Sequence, residues 1–198
     1  LGSWFVFFAI IEDMGERALA ISNLVRIVYL ILSIPTWGFS SATNTIVGNL
    51  MGQANYASIL PSMRKTAITC FVMTMSAALP IIIWPETFLY PLLGSSDMTL
   101  ITDSKSTLYV LLIIVAFSSV ISIYVNGIAG VGATLTGLLI QTLSAISYLI
   151  AIYVVVDIWQ STLNYAWSTE IIYWIAQLVG VLWFFHKISF AKMRYADG

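Results

Sequence analysis

The sequence predicts an all-α membrane protein of six transmembrane helices, the first of them cut short, and three observations carry that prediction. Charged residues make up 9% of the 198-residue chain and hydrophobic ones 60%, with a mean hydropathy of +0.94, whereas a soluble domain carries about 25% charged residues. Apolar runs close to the roughly 20 residues that a bilayer crossing demands alternate with short polar connections. Lys and Arg then gather on alternate connections, the asymmetry that sets orientation in a membrane.

The first apolar run, residues 1–14, is already under way at Leu1 and is too short to cross a bilayer. No initiator Met, basic n-region or small-residue cleavage site precedes it, so it does not resemble a signal peptide. The chain is therefore expected to start inside a helix, with Leu1 not the natural N-terminus and the parent protein extending upstream. The second helix, 17–52, contains RIVYLILSIPTWGFSSATNTIVGNLMG and is longer than one crossing needs. Tilt, a bend at Pro35 or protrusion beyond the bilayer has to absorb the excess.

Residues 53–65, QANYASILPSMRK, read as a cytoplasmic linker ending on Arg64 and Lys65. A third helix is expected over 66–90, closing at WPETFLYP, where Pro85 and Pro91 disfavour continuation. GSSDMTLITDSKS then reads as a polar loop. The fourth, fifth and sixth helices are expected over 107–129, 135–156 and 171–190, with a tight glycine-rich turn, NGIAGVGATLTG, between the fourth and fifth. Short connections make neighbouring helices antiparallel.

If the first helix exits outward, Arg64, Lys65, Lys187, Lys192 and Arg194 fall inside, and Arg17 and Lys105 outside, with Arg26 near that boundary. Glu12, Asp13, Glu16, Glu86, Asp97, Asp103, Asp157 and Glu170 also fall outside, with Glu12, Asp13 and Asp157 read as solvated loop charges, and only Asp197 falls inside. The C-terminus is then cytoplasmic. On this reading no carboxylate sits in the middle of a complete helix.

Several function classes find no support. A net charge of -1 supplies no basic patch for nucleic acid. Cys70 has no second cysteine to pair with, so neither a disulfide framework nor a cysteine metal site is expected. There is no HExxH, CxxC, GxSxG or GxxxxGK[ST], and a single histidine, His186, removes most acid–base schemes. The chain is not expected to be an enzyme or to carry a cofactor. Nothing in it resembles a channel's selectivity filter.

What remains is a set of polar residues at membrane depth. Ser22, Arg26, Tyr29, Ser33, Thr36 and Ser40 recur at helical spacing and form one stripe on the second helix. Ser119, Ser122 and Asn126 share a face of the fourth. Gly137, Gln141, Ser144 and Tyr148 form a stripe on the fifth, and Tyr173, Gln177 and Gly180 a shorter one on the sixth. Polar groups in hydrocarbon are costly unless they face a cavity or a partner, so each stripe reads either as a pathway or as interhelical hydrogen bonding. For Arg26 the alternatives are a cavity role or a side chain that reaches the outer headgroups.

ALAISNLV, residues 18–25, followed by IPTWGFSSATNTIVGNLMGQAN, residues 34–55, resembles the C-terminal six-helix lobe of the multidrug and toxic compound extrusion (MATE) antiporters. Gly15, Ala18, Leu19, Ala20, Gly38, Ala42, Gly48, Gly52 and Gln53 match that family's pattern. NGIAGVGAT, 126–134, is similar to the glycine-rich stretch joining its fourth and fifth helices. The resemblance implies one lobe of a twelve-helix, two-lobe transporter, exporting organic cations or other amphipathic compounds against sodium or proton flow by alternating access. It implies a small-molecule substrate, contact with membrane lipid, a bacterial-type inner membrane and an N-terminal lobe absent from this chain. Arg26, Tyr29, Ser33, Thr36, Ser119, Ser122, Asn126, Gln141 and Gln177 are then expected to line the central cavity, with Pro35 and Gly38 as the hinge. Trp4, Phe8, Tyr29 and Trp37 are candidates to stack on a planar cation.

Some family members carry a carboxylate in the first helix of this lobe and another in the fourth. Here the first position falls at or upstream of Leu1 and the second near Ser119, which is not acidic. Two rival readings are a flippase of the same superfamily, which needs several cations facing the cavity to hold a lipid phosphate, and a membrane subunit without transport of its own.

Overall fold

The structure, a computed structural model, describes residues 2–93 and 98–187. Among them the chain is entirely helical: α1 Gly2–Asp13, α2 Glu16–Gly52, a 3₁₀ turn Tyr56–Ser58, α3 Ile59–Ile83, α4 Pro85–Leu93, α5 Met98–Gly130, α6 Thr134–Tyr153 running into a π turn Val154–Ile158, and α7 Leu163–Lys187. Five segments, carried by α2, α3, α5, α6 and α7, are long and apolar enough to cross a membrane. With α1, 12 residues long, they make the six expected crossings with the first one short. In hydrocarbon a chain has to satisfy its backbone hydrogen bonds internally, and helices do this within each segment.

At the centre stands α5, packed against α2, α3, α4, α6 and α7. Leu108, Leu111, Ile114, Val115, Ile123 and Ile128 on it are fully buried. Where α5 meets α2 the backbones nearly touch: a methyl group on Gly130 would lie 2.8 Å from the Asn44 carbonyl oxygen and 2.8 Å from Val47 Cβ. The turn beyond it closes with Ala133 N–H on the Ile128 carbonyl at 3.2 Å and Gly132 N–H on the Ala129 carbonyl at 2.9 Å. Gly132 adopts φ 92°, the left-handed conformation that this helix-ending motif requires. The expected glycine-rich turn is thus present.

The opposite end of the lobe, where Gly15 joins α1 to α2, is held by charged pairs. Arg17 on α2 donates to Asp103 Oδ2 on α5 at 2.7 and 3.1 Å and to Thr99 Oγ1 at 2.7 Å. Lys105 on α5 meets Glu86 on α4 at 2.5 Å and holds that exposed carboxyl below the usual carboxylate range.

Three expected boundaries move. The third helix, expected over 66–90, instead spans Ile59–Ile83, because Ile59 and Met63 pack with Val47 and draw the start of the helix seven residues forward; the linker shrinks to 53–58. Trp84, at φ −120° and ψ 62°, breaks the chain, and Pro85 opens the separate α4, a first-turn position that its fixed φ favours. Most of the expected loop 94–106 is the start of α5, its polar side chains serving the Arg17 and Lys105 contacts. The sixth helix starts at Leu163, eight residues before expectation. Asp97, Lys192, Arg194, Asp197 and the end of the expected sixth helix lie outside the described residues.

Two stability tests follow. Gly130→Ala is expected to destabilise by about 1–3 kcal/mol through overpacking against backbone, whereas Gly127→Ala, which meets only the flexible end of Met63, is expected to cost less; thermal unfolding in detergent reads both. Ala54 holds φ 52° in the turn after α2, where Asn55 N–H reaches the Leu50 carbonyl at 2.9 Å. Ala54→Gly is expected to raise stability by about 1 kcal/mol by relieving a left-handed alanine, measured as a higher melting temperature.

Candidate functional site

The helix α7 carries Trp167, Glu170, Trp174, Gln177, Val181 and Phe184 at alternating steps of three and four, and all six are buried. That spacing keeps them on one face of a 3.6-residue helix. Glu170 therefore points into the lobe about two turns from the start of α7 and is only 7% exposed. This corrects the expected helix bounds, which leave Glu170 in the outer connection before residue 171. It also places a buried carboxylate inside a helix long and apolar enough to cross a membrane. The apolar run from Ile171 onward marks only the later part of α7, and the polar letters STE before it are already helical and packed.

Around Glu170 the structure assembles a cluster of rings. Tyr29 on α2 donates its hydroxyl to Glu170 Oε1 at 3.5 Å. Trp4 on α1 stacks on the Tyr29 ring, 5.4 Å between centroids and 15° between planes. Phe7 packs edge-on against Trp167 at 5.2 Å and lies 6.4 Å from Tyr148 of α6. Tyr148 meets the edge of Tyr173 at 6.4 Å. Trp167 Nε1 donates to Ser22 Oγ at 3.1 Å, tying α7 to α2. Arg26, one turn before Tyr29, places its guanidinium 4.7 Å from the Phe8 ring centre.

Burying a carboxylate costs several kcal/mol unless a charge or several hydrogen bonds compensate. Among the described residues Glu170 makes no ion pair, and Tyr29 is its recorded donor. Two further donors on the same faces, Tyr148 Oη and Trp174 Nε1, are buried without a partner. The site is thus rich in aromatic surface and short of compensation for a charge.

The residues expected to line a cavity fall into three groups. Arg26, Tyr29 and Gln177 come to the cluster, the Gln177 amide facing the Tyr173 phenol. Ser33 and Thr36 are buried; Ser33 donates to the Tyr29 carbonyl at 2.7 Å, and Thr36 Oγ1 receives the Cys70 thiol at 3.8 Å. Ser119, Ser122 and Asn126 sit on the Gly130 half of α5, Ser119 buried and donating to the Ala116 carbonyl, Asn126 half-buried and donating to the Ser122 carbonyl. Gln141 is exposed on α6. Within helix α2, Pro35 has no N–H to offer the Ile31 carbonyl, and Gly38 is exposed, with open space beside its Cα. Of the aromatics, Trp4, Phe8 and Tyr29 join the cluster; Trp37 is 59% exposed on the lobe surface.

At the Gly132 end an open groove of about 550 Å³ is lined by Leu60, Pro61, Arg64, Lys65, Ile68 and Tyr124. Among the described residues no three His, Cys, Asp or Glu side chains gather to hold a metal.

Known proteins share this architecture. A MATE crystal structure in complex with MaL6 superposes with a TM-score of 0.80 at 18% identity, covering 98% of this chain and 43% of that one. The outward-facing conformation of a multidrug resistance MATE family transporter of the MOP superfamily gives 0.78 at 17% identity, covering 98% and 42%. This chain thus spans less than half the length of either. No curated protein matches its sequence. The MatE family model matches residues 2–155, more than half of the chain. With that match, on a six-crossing lobe of the same fold, the chain belongs to the MatE family of multidrug and toxic compound extrusion transporters.

Proposed function

We propose that this chain is one lobe of a secondary active antiporter that exports organic cations or other amphipathic compounds in exchange for sodium or protons, by alternating access. The observation that carries the reading is its near-complete overlap with less than half of a multidrug resistance transporter in the outward-facing conformation. A second lobe, N-terminal to this one, supplies the other wall of the cavity. Of the expected lining residues, Arg26, Tyr29, Ser122 and Asn126 remain part-exposed and Gln141 exposed, within reach of a substrate from this side. A carboxylate among aromatic rings suits a cationic, planar compound, because ring faces attract positive charge.

The Gly15 end faces outward and the Gly132 end inward in a bacterial-type inner membrane, with the C-terminus cytoplasmic. Arg64 and Lys65 then meet anionic headgroups of the inner leaflet through the groove they line. Pro35 and Gly38 give α2 its bend between states. The flippase reading gains nothing here: Arg17 is bound to Asp103, and Arg26 lies against Phe8.

Efflux of ethidium from cells expressing the full-length protein tests the proposal. Export is expected to collapse when either the sodium gradient or the proton gradient is removed; export indifferent to both, or none at all, refutes antiport of this substrate class. Gly38→Ala meets no neighbour and restores about 1 kcal/mol of helix propensity. It is expected to leave the fold intact and slow export, and an unchanged export rate removes Gly38 from the hinge.

A further inference from the structure

We propose that Glu170 is a proton-exchanging carboxylate of this lobe, protonated while the aromatic cluster is closed around it and ionised when the cluster opens. The inference rests on the antiporter reading and assigns one of its coupling steps to a residue of α7.

Three observations carry it. First, Glu170 is 7% exposed within a membrane-spanning helix and makes no ion pair among the described residues. An ionised carboxylate so placed is strongly disfavoured, whereas a carboxylic acid is tolerated. Second, its recorded partner, Tyr29, holds it at 3.5 Å, beyond the range of a strong charge-assisted bond. That contact is suited to release. Third, two donors stand unpaired beside it. Trp174, one turn after Glu170 on the same buried face of α7, has Nε1 unpartnered, and Tyr148 faces Glu170 from α6 with Oη unpartnered. A modest rearrangement gives the charged form the donors that the closed form lacks.

The groups that face Glu170 are the phenols Tyr29 from α2, Tyr148 from α6 and Tyr173 from α7 itself. On α2, Arg26, three residues before Tyr29, is held over Phe8. From α5, Asp103 and Lys105 are engaged with Arg17 and Glu86; on α1, Glu12 and Asp13 are exposed at its far end. A hard metal cation demands several oxygen ligands, and this cluster offers mostly ring faces, so the proton is the fitting ion. In the exchange a hydronium ion delivers its proton to a Glu170 carboxylate oxygen, forming an O–H bond and leaving water. On opening to the other side, that bond breaks and the proton returns to water.

The test is infrared difference spectroscopy of the full-length protein between acidic and alkaline pH, with ethidium efflux in parallel. A carboxylic-acid C=O band that titrates and shifts in deuterium oxide is expected. It should be absent in Glu170→Gln and moved in frequency in Tyr29→Phe, which keeps the ring and loses only the hydroxyl. Titrating bands unchanged in Glu170→Gln overturn the proposal, and so does a Tyr29→Phe spectrum identical to wild type, which decides the matter if Glu170→Gln does not fold. In cells, proton-driven efflux is expected to fall at least tenfold in Glu170→Gln, with partial activity in Glu170→Asp. Undiminished proton-driven efflux in Glu170→Gln overturns it, as does a Glu170-dependent efflux that follows sodium and ignores pH. Absence of export by the wild type refutes the antiporter reading alone, because the infrared titration needs no transport.

Discussion

A bilayer interior supplies no hydrogen-bond partner, and that single constraint orders the whole lobe. It makes every described crossing a helix, and it turns hydroxyls such as those of Ser33 and Thr43 on α2 back onto their own chain, where they bond the carbonyls of Tyr29 and Phe39. It also decides which polar groups are informative. Hydroxyls can be silenced locally, whereas a carboxylate, an indole N–H or a phenol needs a neighbour from another helix. Trp167 finds Ser22, and Glu170 finds Tyr29, so hydrogen bonds join α7 to α2 at two places.

The lobe is held differently at its two ends. At the Gly132 end, α2 and α5 approach through small residues, gaining dispersion contact at close range where the hydrophobic effect contributes nothing between helices. At the Gly15 end, the Arg17 and Lys105 pairs hold α2, α4 and α5 through charges that remain exposed. Such pairs set register more than stability. One end is therefore closely packed, the other tethered by exposed charges, with the carboxylate cluster nearer the tethered one.

Much of this was legible in the sequence. The number of crossings, the overlong second helix and the glycine turn after Gly130 follow from apolar run length and glycine spacing, which report directly on bilayer thickness and backbone freedom. Boundaries set by tertiary packing were not legible. The start of α3 depends on Ile59 and Met63 meeting Val47, and residues 99–106 read as loop because their polar side chains serve contacts with α2, α4 and α7. The most consequential miss was Glu170. Hydropathy dilutes Ser168, Thr169 and Glu170 into a connection, yet the steps from Trp167 through Glu170, Trp174 and Gln177 to Val181 already trace one helical face. Periodicity carried the signal that run length hid. The α2 stripe shows the reverse: its spacing was read correctly, but Ser22, Ser33 and Thr36 are turned into the lobe rather than left open.

The close contact at Gly130 has a geometric corollary for the far end of α2. With Val47 seated against it and Tyr29 eighteen residues up the same helix, the separation is about 27 Å, so a tilt of about 2° about that contact displaces Tyr29 by about 1 Å. Such a displacement, directed away from Glu170, would break a hydrogen bond that starts at 3.5 Å. Helix α2 is in this sense a lever with its fulcrum at the close-packed end, and the phenol on its long arm converts a small rotation into the making or losing of one bond.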